Sequence, residues 1–134
     1  MRKIDIACII DDDPIFVFGL KKMMQLANFC ESLMIFRNGE EAMKNLTSII
    51  ELGNNIPDVI LLDLNMPVMD GWQFLDEFVK IDSHKLITIY IVSSSIDPAD
   101  KDRVKNYLNV SNFIIKPISI ENLKNISEEV LLRK

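Results

Sequence analysis

Five short apolar, β-branched runs punctuate the chain: "IDIACII", "SLMIF", "DVILLD", "LITIYIV" and "NFIIK". Longer amphipathic stretches separate them, each with room for a helix, and this alternation is the rhythm of a parallel sheet with helical crossovers. The central runs are apolar at every position rather than at every second one, as strands are when helices cover both faces. The pattern predicts a doubly wound α/β fold with a five-stranded parallel sheet and five helices.

The helix boundaries are readable. Asp13 and Pro14 form an N-cap followed by proline at the first helical position, which predicts a first helix over 14–28 with Ile15, Val17, Phe18, Leu20, Met24 and Leu26 on a broad apolar face. "NGEEAMKNLTSIIELG" predicts a second helix closed by Gly53, and Asp70 with Gly71 opens a third that carries Trp72, Phe74, Leu75 and Phe78. "DPADKDRVKNYL" repeats the Asp-Pro start for a fourth, and Ser119 with Asn122 begins a fifth that runs to about Leu132. These elements use up residues 1–134, so one domain is expected, with any output passing through a separate molecule.

Composition narrows the function classes. Nearly half of the 134 residues are apolar (49%), enough to fill one hydrophobic core. A net charge of −5 without a Lys/Arg cluster argues against direct nucleic-acid binding. Cys8 and Cys30 lie too far apart in sequence for a zinc-type pairing and form no disulfide framework, so reduced thiols are expected. The N-terminal apolar run is interrupted by Asp5 and ends in acids, unlike a signal peptide or membrane span. A cytoplasmic protein without membrane insertion is the expectation.

In an open parallel sheet, ligands bind beyond the carboxyl ends of the strands, where the strand order reverses. Strand one ends at Asp11 and Asp12, strand three at Asp63, strand four at Ser93 and strand five at Lys116. Strand two ends near Arg37 and Asn38 and adds no obvious reactive group, which suits an edge strand in the order 2-1-3-4-5. Clustered carboxylates repel one another, and a hard divalent cation keeps them ionised. Mg²⁺ fits, because it takes one or two protein carboxylates and leaves places for phosphate oxygens. With Asp11 and Asp12 on the metal, Asp63 is left as an oxygen nucleophile able to form an acyl phosphate. Lys116 and the Ser93 hydroxyl would each meet a phosphoryl oxygen, which is the positioning and charge neutralisation that phosphoryl transfer needs.

"IIDDDP", "LLDLNMPVMDG", "IYIVSS" and "FIIKPI", in this order, resemble the four signatures of the response-regulator receiver domain, the CheY-like family of two-component signalling. The resemblance covers essentially the whole chain and implies a flavodoxin-like fold in the strand order given above. It implies that Asp63 is the phosphoacceptor, that Asp11 and Asp12 are the acidic pair, and that the backbone carbonyl of Asn65 completes the Mg²⁺ shell. Ser93 matches the switch hydroxyl, Phe113 the aromatic switch position, Lys116 the family's lysine and Pro117 its cis-peptide proline. Phosphorylation is then expected to draw Ser93 toward the phosphoryl group, to let Phe113 turn inward, and to change the face made by the fourth helix, fifth strand and fifth helix. Asn65 and Ser95 flank the acceptor and the switch residue, where by resemblance they adjust access of water. Two departures stand out: the stretch from Gly39 to Asp63 is longer than in the compact chemotaxis receiver, and "KNYLNVSNF" lacks the small-residue entry to strand five of many DNA-binding regulators.

The remaining polar and aromatic residues read as structural. Asp13 and Asp70 cap helices, Trp72 and the seven methionines pack in the core or loops, and His84 is a surface residue. With a single histidine and no phosphate-cradling loop for ATP, the chain must receive its phosphoryl group from another protein. The resemblance suggests a sensor histidine kinase or a histidine-phosphotransfer protein, with Ile15, Phe16, Pro117 and Ile118 at the apolar centre of its docking patch. Turnover of small substrates is not expected. Two rival readings are a small Mg²⁺-dependent phosphatase with an aspartate nucleophile and a receiver-shaped module that binds partners without being phosphorylated. The phosphatase would want an acid where Asn65 stands and a cap over the pocket.

Overall fold

The computed structural model describes residues 3–83 and 85–133; His84 lies outside the described residues. Strands β1 (Ile4–Ile10), β2 (Cys30–Phe36), β3 (Val59–Leu62), β4 (Thr88–Ser93) and β5 (Val110–Ile115) alternate with helices α1 (Pro14–Ala27), α2 (Gly39–Leu52), α3 (Gly71–Phe78), α4 (Pro98–Val104) and α5 (Ile120–Leu132). All strand pairs are parallel and the sheet order is β2-β1-β3-β4-β5, the order that the family resemblance implies, with β2 at an edge.

The unbroken apolar runs follow from two cores. Cys8, Ile10, Ile60, Leu62, Ile89 and Ile91 face one way and pack with Ala42, Leu46, Phe74 and Leu75 of α2 and α3. Their neighbours Ala7, Ile9, Val59, Leu61, Tyr90 and Val92 face the other way, onto Leu20 and Met24 of α1 and Leu123, Ile126 and Val130 of α5. Successive strand residues point to opposite faces, so a sheet covered on both sides leaves no position for a polar residue until the strand ends.

Several boundaries and one face differ from the sequence reading: β5 starts two residues before "NFIIK", at Val110, and β4 two residues into "LITIYIV", at Thr88. β2 starts two residues early, because Cys30 pairs opposite Ile4. α1 closes at Ala27, where Asn28 takes a left-handed conformation (φ 50°) and caps the last turn. α4 is shorter than "DPADKDRVKNYL": it has no buried residue to anchor it, and its end tightens into bonds from Lys105, Asn106 and Tyr107 to carbonyls three residues back. On α1 only Leu20 and Met24 are buried, whereas Ile15, Phe18 and Leu26 are 83%, 64% and 79% exposed. With 3.6 residues per turn, these three fall on the side of the helix opposite the Leu20–Met24 line, so the predicted face was too broad.

The loop from β3 to α3 carries one local strain. Val68 is exposed and sits at φ 70°, a conformation that disfavours any side chain and most of all a β-branched one. Val68→Gly is therefore expected to raise stability by about 1 kcal/mol, read as a higher urea midpoint at unchanged slope.

Candidate functional site

Hydrogen bonds continue the sheet just past the strand ends and thereby set the rim. The Asp11 amide donates to the Phe36 carbonyl (3.0 Å), the Asp63 amide to the Ile10 carbonyl (2.9 Å) and the Lys116 amide to the Ser93 carbonyl (2.9 Å). Four strands thus deliver Asp11, Asp63, Ser93 and Lys116 to one edge. Asp12 follows on the β1–α1 turn, which is held because Asp11 Oδ1 accepts the Asp13 amide (2.9 Å) and Asp13 Oδ1 accepts those of Ile15 (3.0 Å) and Phe16 (3.3 Å).

Asp11, Asp12 and Asp63 each present a carboxylate oxygen, and these oxygens lie within 4.8 Å of one another. Asp11 and Asp63 are buried and Asp12 is exposed, so the cluster opens to solvent on one side. Lys116 Nζ reaches Asp11 Oδ2 at 2.9 Å and Asp63 Oδ2 at 3.9 Å, with its side chain only 14% exposed. Its ammonium also lies 4.2 Å from the centre of the Phe16 ring.

The electrostatics show an excess of negative charge. Burial, and then the Asp11 charge, push the Asp63 carboxyl up to about 6, against the pull of Lys116 and of the Asn65 amide. Burial also raises Asp11, although Lys116 and the Asp13 amide oppose it. An oxygen-only set of three converging carboxylates, two of them destabilised as anions, fits a hard divalent cation. The raised Asp63 value has a consequence for stability without metal. A buried carboxyl that prefers its proton in the folded state stabilises that state below its unfolded value near 3.9, and this is lost as pH rises through about 6. Asp63→Asn cannot ionise, so above pH 6 with chelator it is expected to exceed the native protein in stability by about 3 kcal/mol. The gap closes below pH 4, and urea unfolding at the two pH values measures it.

Ser93 is fully buried at the end of β4, while Ser94 and Ser95 are exposed. Its hydroxyl donates to the Ser95 carbonyl (3.0 Å) and accepts at 3.5 Å from the Asn65 side-chain amide. The Asn65 backbone amide donates to Asp63 Oδ1 (3.3 Å). Phe113 is half-buried against the α2–α3 core, and the Lys116–Pro117 peptide is cis.

The docking residues separate. Ile15 and Pro117 are exposed and Phe16 is half-buried, but Ile118 is only 2% exposed and belongs to the α1–α5 core. Ile118 immediately precedes the Ser119 N-cap, and Leu123, four residues into α5, lies in the same core. This is the hydrophobic-staple position, which turns an apolar residue inward at a helix start. Ile118 is therefore not part of an apolar docking surface.

Sequence reasoning missed one cluster beside the rim. Trp72 on α3 lies against Tyr107 with ring centres 5.8 Å apart, Arg103 of α4 stacks over Trp72 at 4.6 Å, and the Tyr107 hydroxyl donates to Asp76. Trp72 was expected as packing, and it packs, but the spacing of these residues gave no sign that they meet.

Known proteins resemble this chain in sequence and fold. The family model for the response regulator receiver domain matches residues 7–128. A crystal structure of a two-component response regulator from Cytophaga hutchinsonii superposes with a TM-score of 0.89 at 28% identity, covering 98% of this chain and 99% of that one. The probable methanogenesis regulatory protein FilR2 of Methanothrix harundinacea is 26% identical over 93% of this chain and 80% of its own length. The transcriptional regulatory protein PrrA of Mycobacterium leprae is 28% identical over 94% of this chain, which spans only 49% of that protein.

Proposed function

The chain belongs to the response regulator receiver domain family of two-component signalling, and on that premise we propose that Asp63 is its phosphoacceptor. The observation that carries this reading is the placement of a buried Asp63 carboxylate among Asp11, Asp12 and the Lys116 ammonium. Asp11, Asp12 and Asp63, with the Asn65 carbonyl, would hold Mg²⁺, which when bound offsets the carboxylate charge and draws in phosphoryl oxygens.

The chain's own groups do the rest. An Asp63 carboxylate oxygen attacks phosphorus, the P–N bond of a phosphohistidine breaks, and the imidazole leaves with the bonding pair while an acyl phosphate forms. Lys116 donates to a phosphoryl oxygen from the position it already holds between the two aspartates. Ser93 gives up its bond to the Ser95 carbonyl and donates to a second phosphoryl oxygen, and Phe113 turns inward behind it. These local changes bias the α4–β5–α5 face, where Leu108, Ile115 and Ile120 are exposed, toward a downstream protein partner.

The donor is a sensor histidine kinase or a histidine-phosphotransfer protein that docks over the start of α1 and the β5–α5 turn, on Ile15, Phe16 and Pro117. Hydrolysis of the acyl phosphate resets the protein, with Asn65 and Ser95 flanking the path of water, and no small substrate is turned over. The reading places the chain in the cytoplasm; among the described residues, no helix is long and apolar enough to cross a membrane.

The test is intact mass after incubation with a small-molecule phosphodonor. One phosphoryl adduct with Mg²⁺ and none with chelator is the expected result. A folded protein that takes up no adduct in Mg²⁺ overturns the reading in favour of a phosphorylation-independent binding module.

A further inference from the structure

Lys116 needs a fixed position, yet its ammonium rides on a flexible four-carbon stem. Two carboxylates draw it from one side: Asp11 at 2.9 Å and Asp63 at 3.9 Å. On those contacts alone it would follow Asp11, the nearer charge. A third contact lies on α1, where the ring of Phe16 sits 4.2 Å from Nζ. Both Lys116 and Phe16 are largely shielded from water, where a cation held over an aromatic face gains most.

The same short segment carries the ring and the carboxylate. Asp11 accepts the Asp13 amide, and Asp13 accepts the amide of Phe16, so residues 11–16 form one hydrogen-bonded turn that fixes the ring relative to the acidic cluster. A π face offers no lone pair, so it restrains the ammonium without a fixed hydrogen bond and leaves N–H groups free for an incoming oxygen.

We propose that Phe16 is a positioning residue for phosphoryl transfer: its ring holds Lys116 beside Asp63. The proposal rests on the phosphoacceptor reading of Asp63. It gives Phe16 a role separate from partner docking, since the ring would matter even when the phosphodonor is a small molecule that docks on nothing.

The experiment compares the native protein with Phe16→Leu, which keeps apolar bulk and removes the π face, and Phe16→Tyr, which keeps both. The rate of adduct formation is measured at saturating Mg²⁺ and small-molecule phosphodonor. Proton shifts of the Lys116 ε-methylene are recorded on the metal-free proteins. In the native protein these protons are expected to be displaced upfield by the ring; the displacement disappears in Phe16→Leu and persists in Phe16→Tyr. The rate is expected to fall about 3- to 10-fold in Phe16→Leu and to stay within about twofold in Phe16→Tyr.

An unchanged rate in Phe16→Leu overturns the proposal and leaves Asp63 as the acceptor. A slower Phe16→Leu whose Lys116 shifts have not moved also overturns it, because the loss then comes from packing. Equal slowing of Phe16→Tyr does the same. A native protein that accepts no phosphoryl group overturns the phosphoacceptor reading and the proposal with it.

Discussion

Lys116→Ala is expected to slow phosphoryl uptake from a small-molecule donor by about a hundredfold or more at saturating Mg²⁺. The magnitude follows from the environment. The Lys116 side chain is 14% exposed and its ammonium lies 3.9 Å from Asp63, so its charge acts on incoming phosphoryl oxygens with little screening by water. Its loss also removes a force that now opposes the raised Asp63 carboxyl, so the nucleophile is less readily ionised in the metal-free state. Lys116→Arg is not expected to restore the rate, because a planar fork cannot take the place of a compact ammonium between two carboxylates and a ring. Initial rates by intact mass check both variants. A Lys116→Ala rate within about threefold of the native one would remove Lys116 from the chemistry.

Gly71→Ala is expected to cost about 2–3 kcal/mol of stability and to slow phosphoryl uptake as well. A β-carbon there would lie 2.7 Å from the Asp63 carbonyl oxygen and 2.8 Å from the Leu64 α-carbon, both backbone atoms with no rotamer by which to give way. The Gly71 amide also donates to the Leu64 carbonyl (3.0 Å), so the start of α3 is drawn against the segment that carries the acceptor. An added methyl must therefore move Asp63 or break this contact. Gly19→Ala is the control: the glycine lies inside α1, the new carbon meets nothing within 4 Å beyond its chain neighbours and the helix's own backbone, and stability is expected to rise by about 0.5–1 kcal/mol. Urea midpoints report both changes, and the uptake rate separates Gly71→Ala from a merely less stable protein at temperatures where both stay folded.

What could be read from the chain and what could not divide along physical lines. Ala7 to Ile10, Val59 to Leu62 and Ile89 to Val92 are apolar without interruption because each strand feeds two cores, so a polar residue stands out where the strand ends. That contrast made Asp11, Asp63, Ser93 and Lys116 legible, together with the rim on which they meet. Burial on helices and turns was harder. Phe18 and Leu26 look like core residues in the first helix and are exposed, while Ile118 looks like surface beside a turn and is buried beneath the start of α5. Apolarity does not say which side of a helix faces the sheet, and a staple residue differs from an exposed one only through its tertiary partner. Contacts between distant segments left no trace either. Phe16 meets Lys116 only because β5 ends near the start of α1, and Trp72 meets Tyr107 only because α3 and the end of α4 adjoin.

Everything proposed for the site depends on the phosphoryl group residing on Asp63. Borohydride reduces an aspartyl phosphate to homoserine, so treating the phosphodonor-labelled protein and mapping its peptides by mass locates the modified side chain directly. One reduced residue, at position 63, is expected with Mg²⁺ and none with chelator. Reduction at Asp11 or Asp12, or a labelled protein with no reduced aspartate, would contradict it.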